Sequence, residues 1–155
     1  MGVAGSNHAK RKSGGGRNGR QTAKPLVFNI PSDPAAGRDI QKAIMERVES
    51  LKYGDECRFA IRLALEEGLM NAMKHGNKLD PRKTVHVEAK VTPRKTEITI
   101  EDQGKGFKRD QVPDPCADEN LLKSSGRGLL LIEAYMDKVQ FTRGGRRVKM
   151  MKKNS

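Results

Sequence analysis

The sequence has only two cysteines, and their surroundings offer no covalent or metal-bound framework. Cys57 falls in a predicted helix and Cys116 in a predicted loop, and neither belongs to a CxxC motif or to a cysteine and histidine cluster. Small secreted domains usually rely on several disulfides, and structural zinc sites need clustered ligands. We therefore expect a reduced cytoplasmic protein without structural zinc, in which Cys57 packs in the core and Cys116 is unreactive.

Long apolar runs are also lacking. No stretch approaches the roughly 20 apolar residues that span a bilayer, and no apolar segment follows the basic N-terminus as it would in a signal peptide. The 155 residues provide room for one domain with a hydrophobic core. We expect a soluble, intracellular protein without a membrane partner.

Both ends of the chain lack acidic residues, although the net charge of the whole sequence is +12. No Asp or Glu occurs before Pro25 or after Asp137. Twelve of the basic residues in these two end segments match the excess: Lys10, Arg11, Lys12, Arg17, Arg20, Lys24, Arg143, Arg146, Arg147, Lys149, Lys152 and Lys153. The middle of the chain is formally neutral, so any electrostatic role belongs to the ends.

Residues 1–24 are predicted to form a disordered basic tail, followed by a single folded domain over residues 25–153. The tail is nearly devoid of large apolar side chains, so burial cannot offset the entropy of ordering it. Two roles stay open. The lack of interleaved aromatic residues favours a solvated, solubilising tail over an electrostatic arm for nucleic acid or an acidic partner.

Hydrophobic periodicity predicts a domain that contains both strands and helices. Alternating apolar residues predict a hairpin over residues 85–100 and further strands over residues 26–30, 139–142 and 148–151. Helical spacing predicts helices over residues 35–51, from an Asp55 N-cap to a left-handed Gly76, and over residues 126–137. The irregular segment of residues 103–125 is interpreted as a lid over a ligand.

Three short motifs carry the functional prediction. They are Glu67 to Asn71, Asp102-x-Gly104-x-Gly106 and Gly126-x-Gly128. Taken singly, each has an ordinary interpretation, as exposed helix residues, a turn after a strand, or loop residues before a helix. Together they offer an oxygen ligand for a divalent cation, an acceptor for a purine amino group, and glycine backbone that phosphates can approach. The combination predicts an ATP site.

The order and spacing of these motifs resemble the histidine-kinase-like (GHKL) ATPase superfamily, which includes gyrase and the histidine kinases. Residues 64–76 resemble its N box, residues 102–106 its first glycine box and residues 125–129 its second. The compact chain and the sequence of residues 132–137 are most similar to the anti-sigma-factor serine/threonine-protein kinases. The resemblance covers about residues 26–152 and implies the Bergerat ATP-binding fold, an α/β two-layer sandwich with a mixed, mainly antiparallel sheet and helices on one face.

The resemblance implies a role for each motif residue. Asn71 is expected to ligate Mg²⁺, Glu67 to act as general base toward a serine hydroxyl, and Asp102 to accept from the adenine amino group. The family spacing favours Glu67 over its neighbour Glu66, and His75 is interpreted as a helix-end residue. The remaining residues are expected to line the base and the phosphates with backbone: Gly104, Gly106, Gly126, Arg127 and Gly128.

The resemblance also implies an activity and partners. A protein of this family sequesters a sigma factor, phosphorylates a small antagonist protein with ATP and Mg²⁺, and forms a homodimer. Two features depart from the family pattern: the basic tail, and Arg146 and Arg147 in the last strand, where such pockets often place small hydroxyl residues. Two alternatives stay open, namely a non-catalytic module that uses ATP to shape a partner-binding surface, and a nucleic-acid-associated regulator working through the basic ends.

Overall fold

The computed structural model describes residues 24–105 and 124–155, and in this part of the chain five strands form one sheet. The strands are β1 (Leu26–Pro31), β2 (Thr84–Val91), β3 (Lys95–Glu101), β4 (Lys138–Thr142) and β5 (Arg147–Lys153). Their order across the sheet is β1-β2-β3-β5-β4, and every neighbouring pair is antiparallel. Because β5 lies beside β3, the turn between β4 and β5 adjoins the carboxyl end of β3.

The helices pack on one face of this sheet. They are α1 (Pro34–Ser50), α2 (Asp55–Met70) and α3 (Ser124–Tyr135), and a π-helical segment, Asn71–Gly76, continues α2. The Asp33 side chain caps α1 by accepting from the Ala35 N–H. The N-cap of α2 is Gly54, so the prediction of Asp55 at that position was wrong by one residue. Asp55 is the first helical residue, where its negative charge interacts favourably with the positive end of the helix dipole.

The core lies between the helices and the sheet. On β2, Val85, Val87 and Ala89 are fully buried and alternate with more exposed polar residues, as a half-buried strand requires. Helix α2 approaches the sheet closely at Gly68, where a Cβ would lie 2.8 Å from Ile100 Cδ1. The predicted two-layer sandwich is confirmed, as are the predicted strands and the burial of Cys57.

The end of the second helix differs from the prediction. Gly76 does not have the left-handed conformation, which occurs instead at Lys78 (φ 53°) and Leu79 (φ 55°). The difference arises because the last turn is π-helical, with the Asn77 N–H donating to the carbonyl of Ala72. A π turn holds one more residue than an α turn, so the chain leaves the helix later and in another direction.

Two predicted segments fall wholly or largely outside the described residues: the tail before Lys24, and residues 106–123 of the predicted lid. Helix α3 begins at Ser124, two residues before the predicted start, and ends at Tyr135. Among the helices that the structure describes, none has the length and apolar character needed to cross a membrane.

Candidate functional site

Asp102 lies directly after β3 and is buried, with 8% of its surface exposed. Its backbone N–H donates to the carbonyl of Arg146 at 3.0 Å, and its Oδ1 accepts from the Gly104 N–H at 2.8 Å. Burial raises the pKa of Asp102, and the charge of Glu101 adds to this, while the Gly104 hydrogen bond and the charge of Arg146 oppose it. The result is a carboxylate held in one orientation with little water around it.

Two glycines make room for this carboxylate. A Cβ on Gly76 would overlap the carboxyl group of Asp102, and a Cβ on Gly104 would overlap the carbonyl oxygen of Gly76. The end of the π-helical segment and the turn after β3 therefore pass each other backbone to backbone. We name this set of residues, Gly76, Asp102 and Gly104, the adenine corner, after the role that the resemblance predicts for Asp102.

Asn77, which the sequence analysis did not single out, holds the adenine corner together. It is fully buried, and its amide nitrogen donates to Ser32 Oγ and to the carbonyl of Thr84, both at 2.9 Å. Its Oδ1 accepts from the Gln103 N–H at 2.7 Å. One side chain thus joins the end of α2, the start of β2, the loop before α1 and the turn that contains Asp102. A buried amide with every bond satisfied fixes relative positions strongly.

Gln103 adds a second link across the same corner. Its Oε1 accepts from the Thr84 N–H at 2.7 Å, while Ser32 Oγ donates to the carbonyl of Lys83 at 3.2 Å. The segments that meet here lie up to about seventy residues apart in the sequence, as Ser32 and Gln103 show. The sequence did contain a signal, namely the Asn that directly follows the N-box glycine, Gly76. Its hydrogen-bond partners, however, could not be recognised from the sequence.

Glu67 lies at the other end of the site, where α2 meets α3. A Cβ on Gly128 would lie 2.5 Å from Glu67 Oε1, so the glycine leaves the space that the carboxylate occupies. Asn71 follows one turn later, with its N–H donating to the carbonyl of Glu67, and both residues are half-buried. The structure thereby joins the first and third motifs through side chain and backbone. We name Glu67, Asn71 and Gly128 the phosphate end, after the roles that the resemblance predicts for them.

Some predicted site residues cannot be placed in this way. Gly126 lies in the first turn of α3. Gly106 and the side chain of Arg127 lie outside the described part of the chain. His75 is exposed, and its pKa is lowered by partial burial and by the nearby charges of Lys74 and Lys78. A neutral imidazole on the outer side of the helix end takes no part in either half of the site.

The family follows from comparison with known proteins. Residues 30–152, most of the chain, match the family described as Histidine kinase-like ATPase domain. The chain belongs to this family. The family membership agrees with the predicted resemblance and implies the use of ATP.

Individual relatives point the same way. An anti-sigma F factor of Clostridium perfringens is 32% identical over 82 residues, which is 52% of this chain and 59% of the relative. The serine-protein kinase RsbW of Bacillus subtilis is 30% identical over 129 residues, covering 78% of this chain and 79% of the relative. The chain thus spans little more than half of the first relative's length and most of the second's.

A solved structure supports the fold alone. The crystal structure of the RsbU and RsbW domains of a Mycobacterium tuberculosis protein is similar over 85% of this chain and 32% of that one, with a TM-score of 0.57 and 15% identity. The Bergerat-type arrangement of sheet and helices expected from the sequence agrees with this similarity.

The residues present fit the nucleotide. Asp102 is a buried acceptor, and the glycines at positions 76 and 104 remove the side chains that would cover it. Burial of the Asp102 carboxylate costs free energy, and a hydrogen bond from a purine amino group would offset that cost when the ligand binds. At the phosphate end, Glu67 provides a carboxylate that can accept a proton, and Gly128 provides backbone that a phosphate can approach without meeting a side chain.

Proposed function

We propose that this protein is an ATP-dependent serine/threonine-protein kinase that acts as an anti-sigma factor. The observation that carries the proposal is the contact of the Glu67 carboxylate with helix α3 at Gly128. A carboxylate at that place suits a general base that receives a proton during phosphoryl transfer. The similarity over most of the chain to a protein named serine-protein kinase supports the same activity.

Each site residue has a proposed task. Asp102 accepts from the adenine amino group, and Gly104 and Gly106 let the chain run close to the base. Asn71 offers its side-chain oxygen to Mg²⁺, which neutralises charge on the phosphates when it is bound. The backbone at the start of α3 faces the phosphates through these residues: Gly126, Arg127 and Gly128.

Glu67 serves as the general base. It accepts the proton of a serine hydroxyl on the substrate protein while the serine oxygen bonds to the γ-phosphorus and the bond to the ADP oxygen breaks. Its neighbour Glu66 is exposed on α2 and lies on another side of the helix. Position therefore favours Glu67, whose carboxylate lies against α3 at Gly128, whereas Glu66 is exposed.

The proposed partners are a sigma factor, which the protein sequesters, and a small antagonist protein, which it phosphorylates. The name of the Clostridium perfringens relative supports the first, and that of the Bacillus subtilis relative supports the second. We also propose that the protein works as a homodimer in the cytoplasm, where a sigma factor is found.

The test captures partners from native cell extract, with and without Mg-ATP, and detects phosphoserine by mass spectrometry. Three baits are compared: the natural protein, Glu67→Gln, and Glu66→Gln as the matched control. We expect a sigma factor with all three baits. A phosphorylated antagonist is expected with the natural protein and Glu66→Gln, whereas Glu67→Gln lowers phosphorylation by about 100-fold or more.

Two results would contradict parts of the proposal. Phosphorylation that persists with Glu67→Gln would remove Glu67 as the base. Recovery of a sigma factor without any phosphoserine, while ATP still binds, would favour a non-catalytic regulator that uses the nucleotide to shape its binding surface.

A further inference from the structure

The turn between β4 and β5 has an unusual backbone. Arg143, Gly144 and Gly145 all have positive φ, at 54°, 66° and 93°. Glycine adopts such angles without strain, but an arginine does so at a cost, because its Cβ approaches its own carbonyl oxygen. A non-glycine residue keeps this conformation only where neighbouring groups hold it.

Glu101 holds both sides of that turn. It is the last residue of β3, and its carboxylate is mostly buried, with 19% of the side chain exposed. Glu101 Oε2 lies 3.3 Å from Arg143 Nη1, and Glu101 Oε1 lies 3.5 Å from Arg147 Nε. The two arginines flank the turn, so one carboxylate ties its beginning to the strand that follows. Several charges on one mostly buried group hold geometry better than an isolated surface pair.

Hydrogen bonds connect the turn between β4 and β5 to the adenine corner. The carbonyl of Arg146 accepts from the Asp102 N–H at 3.0 Å, and the Arg146 N–H and Nε both donate to the carbonyl of Arg143. Glu101 and Asp102 are adjacent, so one points to the open face of the sheet and the other to the helix side. A shift of the turn therefore moves the backbone that carries Asp102.

We propose that Glu101 is a positioning residue for adenine recognition. Its ion pairs with Arg143 and Arg147 hold the strained turn, and the turn holds Asp102 through the carbonyl of Arg146. The inference rests on the proposed role of Asp102 as acceptor for the adenine amino group. It also gives a task to the two arginines that depart from the family pattern. Arg147, the first residue of β5, acts through its ion pair, and Arg146, just before β5, acts through its backbone carbonyl.

The experiment measures dissociation constants for ATP and ITP by calorimetry. ITP has a carbonyl oxygen where ATP has the amino group, so the ratio of the two affinities reports the alignment of Asp102. Glu101→Gln is compared with Glu97→Gln, a carboxylate four residues earlier on the same face of β3 that pairs with Lys95. We expect Glu101→Gln to weaken ATP about fivefold to tenfold and ITP less than about twofold, with Glu97→Gln unchanged.

Asp102→Asn, measured in the same way, tests the role of Asp102 as acceptor separately from the positioning role of Glu101. If Asp102→Asn abolishes the preference for ATP and Glu101→Gln does not, the positioning role is overturned while the role of Asp102 stands. If Asp102→Asn leaves the preference intact, Asp102 does not read the amino group and both ideas are overturned. An equal loss for ATP and ITP in Glu101→Gln would show a general effect on structure and would also overturn the positioning role.

Discussion

The two ends of the site are built in different ways. The adenine corner is a meeting of backbones, in which Gly76 and Gly104 leave no space between two segments and the buried Asn77 joins their neighbours. The phosphate end depends on a contact between the end of one side chain, Glu67, and one glycine, Gly128. A carboxylate tip can rotate away from an obstacle, whereas a carbonyl in a helix cannot.

The comparison shows how recognition and chemistry place different demands on a protein. An acceptor that reads one amino group must stay in place before the ligand arrives, and close packing provides this. A base that receives a proton must approach a substrate from another protein and benefits from a movable side chain. The largest effects on the free protein are therefore expected at the adenine corner.

Asn77→Asp should have the largest effect, on stability. An aspartate cannot donate to Ser32 Oγ and the carbonyl of Thr84, and it buries a charge where the amide was satisfied. We expect a loss of about 3 kcal/mol in the free energy of unfolding, measured by urea denaturation. Asn29→Asp is the control, because Asn29 is exposed on β1 and its Oδ1 lies 3.1 Å from His86 Nδ1. Equal losses in both variants would contradict a special role for Asn77.

Gly104→Ala should have the next largest effect, on ATP affinity. The added Cβ meets the backbone carbonyl of Gly76, so the turn after β3 has to move. Overpacking of this kind costs about 2 kcal/mol, which corresponds to roughly 30-fold weaker binding in calorimetry. Gly54→Ala is the control, since the nearest atom to its Cβ is 3.8 Å away. Unchanged ATP binding in Gly104→Ala would show that the adenine corner is not the nucleotide site.

Gly128→Ala should separate binding from catalysis. The added Cβ displaces Glu67 Oε1, and the carboxylate can rotate away without movement of the helix. We expect ATP affinity to change by less than about threefold, while the phosphorylation rate of the captured antagonist falls about tenfold. If binding and rate fell together, the phosphate end would be as rigid as the adenine corner, and the contrast between the two would be lost.

Acidification should have the smallest effect. Burial raises the pKa of Asp102, so its ionised, accepting form is lost at a higher pH than an ordinary aspartate would require. The ratio of ATP to ITP affinity should therefore fall severalfold as pH decreases, with a midpoint above the pKa of an ordinary aspartate. In Asp102→Asn only the adenine ring can titrate, so the ratio should change less with pH. A midpoint below the pKa of an ordinary aspartate would mean that the nucleotide site is well solvated.

Sequence patterns predicted the strands and the approximate helix positions because these depend on local periodicity. Val85, Val87 and Ala89 alternate in the sequence and are buried in the sheet. The sequence also predicted that Glu67 and Asn71 lie on one face of the helix, since one α-helical turn separates them. Each of these predictions needed only residues that are near one another in the chain.

The adenine corner could be predicted only in part, because its geometry depends on distant segments. Asp102 was identified from its motif, but the partners of Asn77 lie on β2 and before α1, and nothing in the local sequence indicates them. Arg146 and Arg147 were noted as departures from the family pattern, and the sequence did not show that the backbone carbonyl of Arg146 accepts from the Asp102 N–H. Every residue has a backbone carbonyl, so the residue type does not reveal a role of this kind.

The π-helical segment Asn71–Gly76 makes the site sensitive to the number of residues as well as to their identity. Deleting one residue there would restore α-helical winding and turn everything that follows by about 100° around the helix axis. Gly76 would then face away from Asp102, although every motif residue was still present. Exchanges at the exposed positions 74 and 75 leave the register intact. During divergence of the family, this segment should tolerate substitutions far better than insertions or deletions.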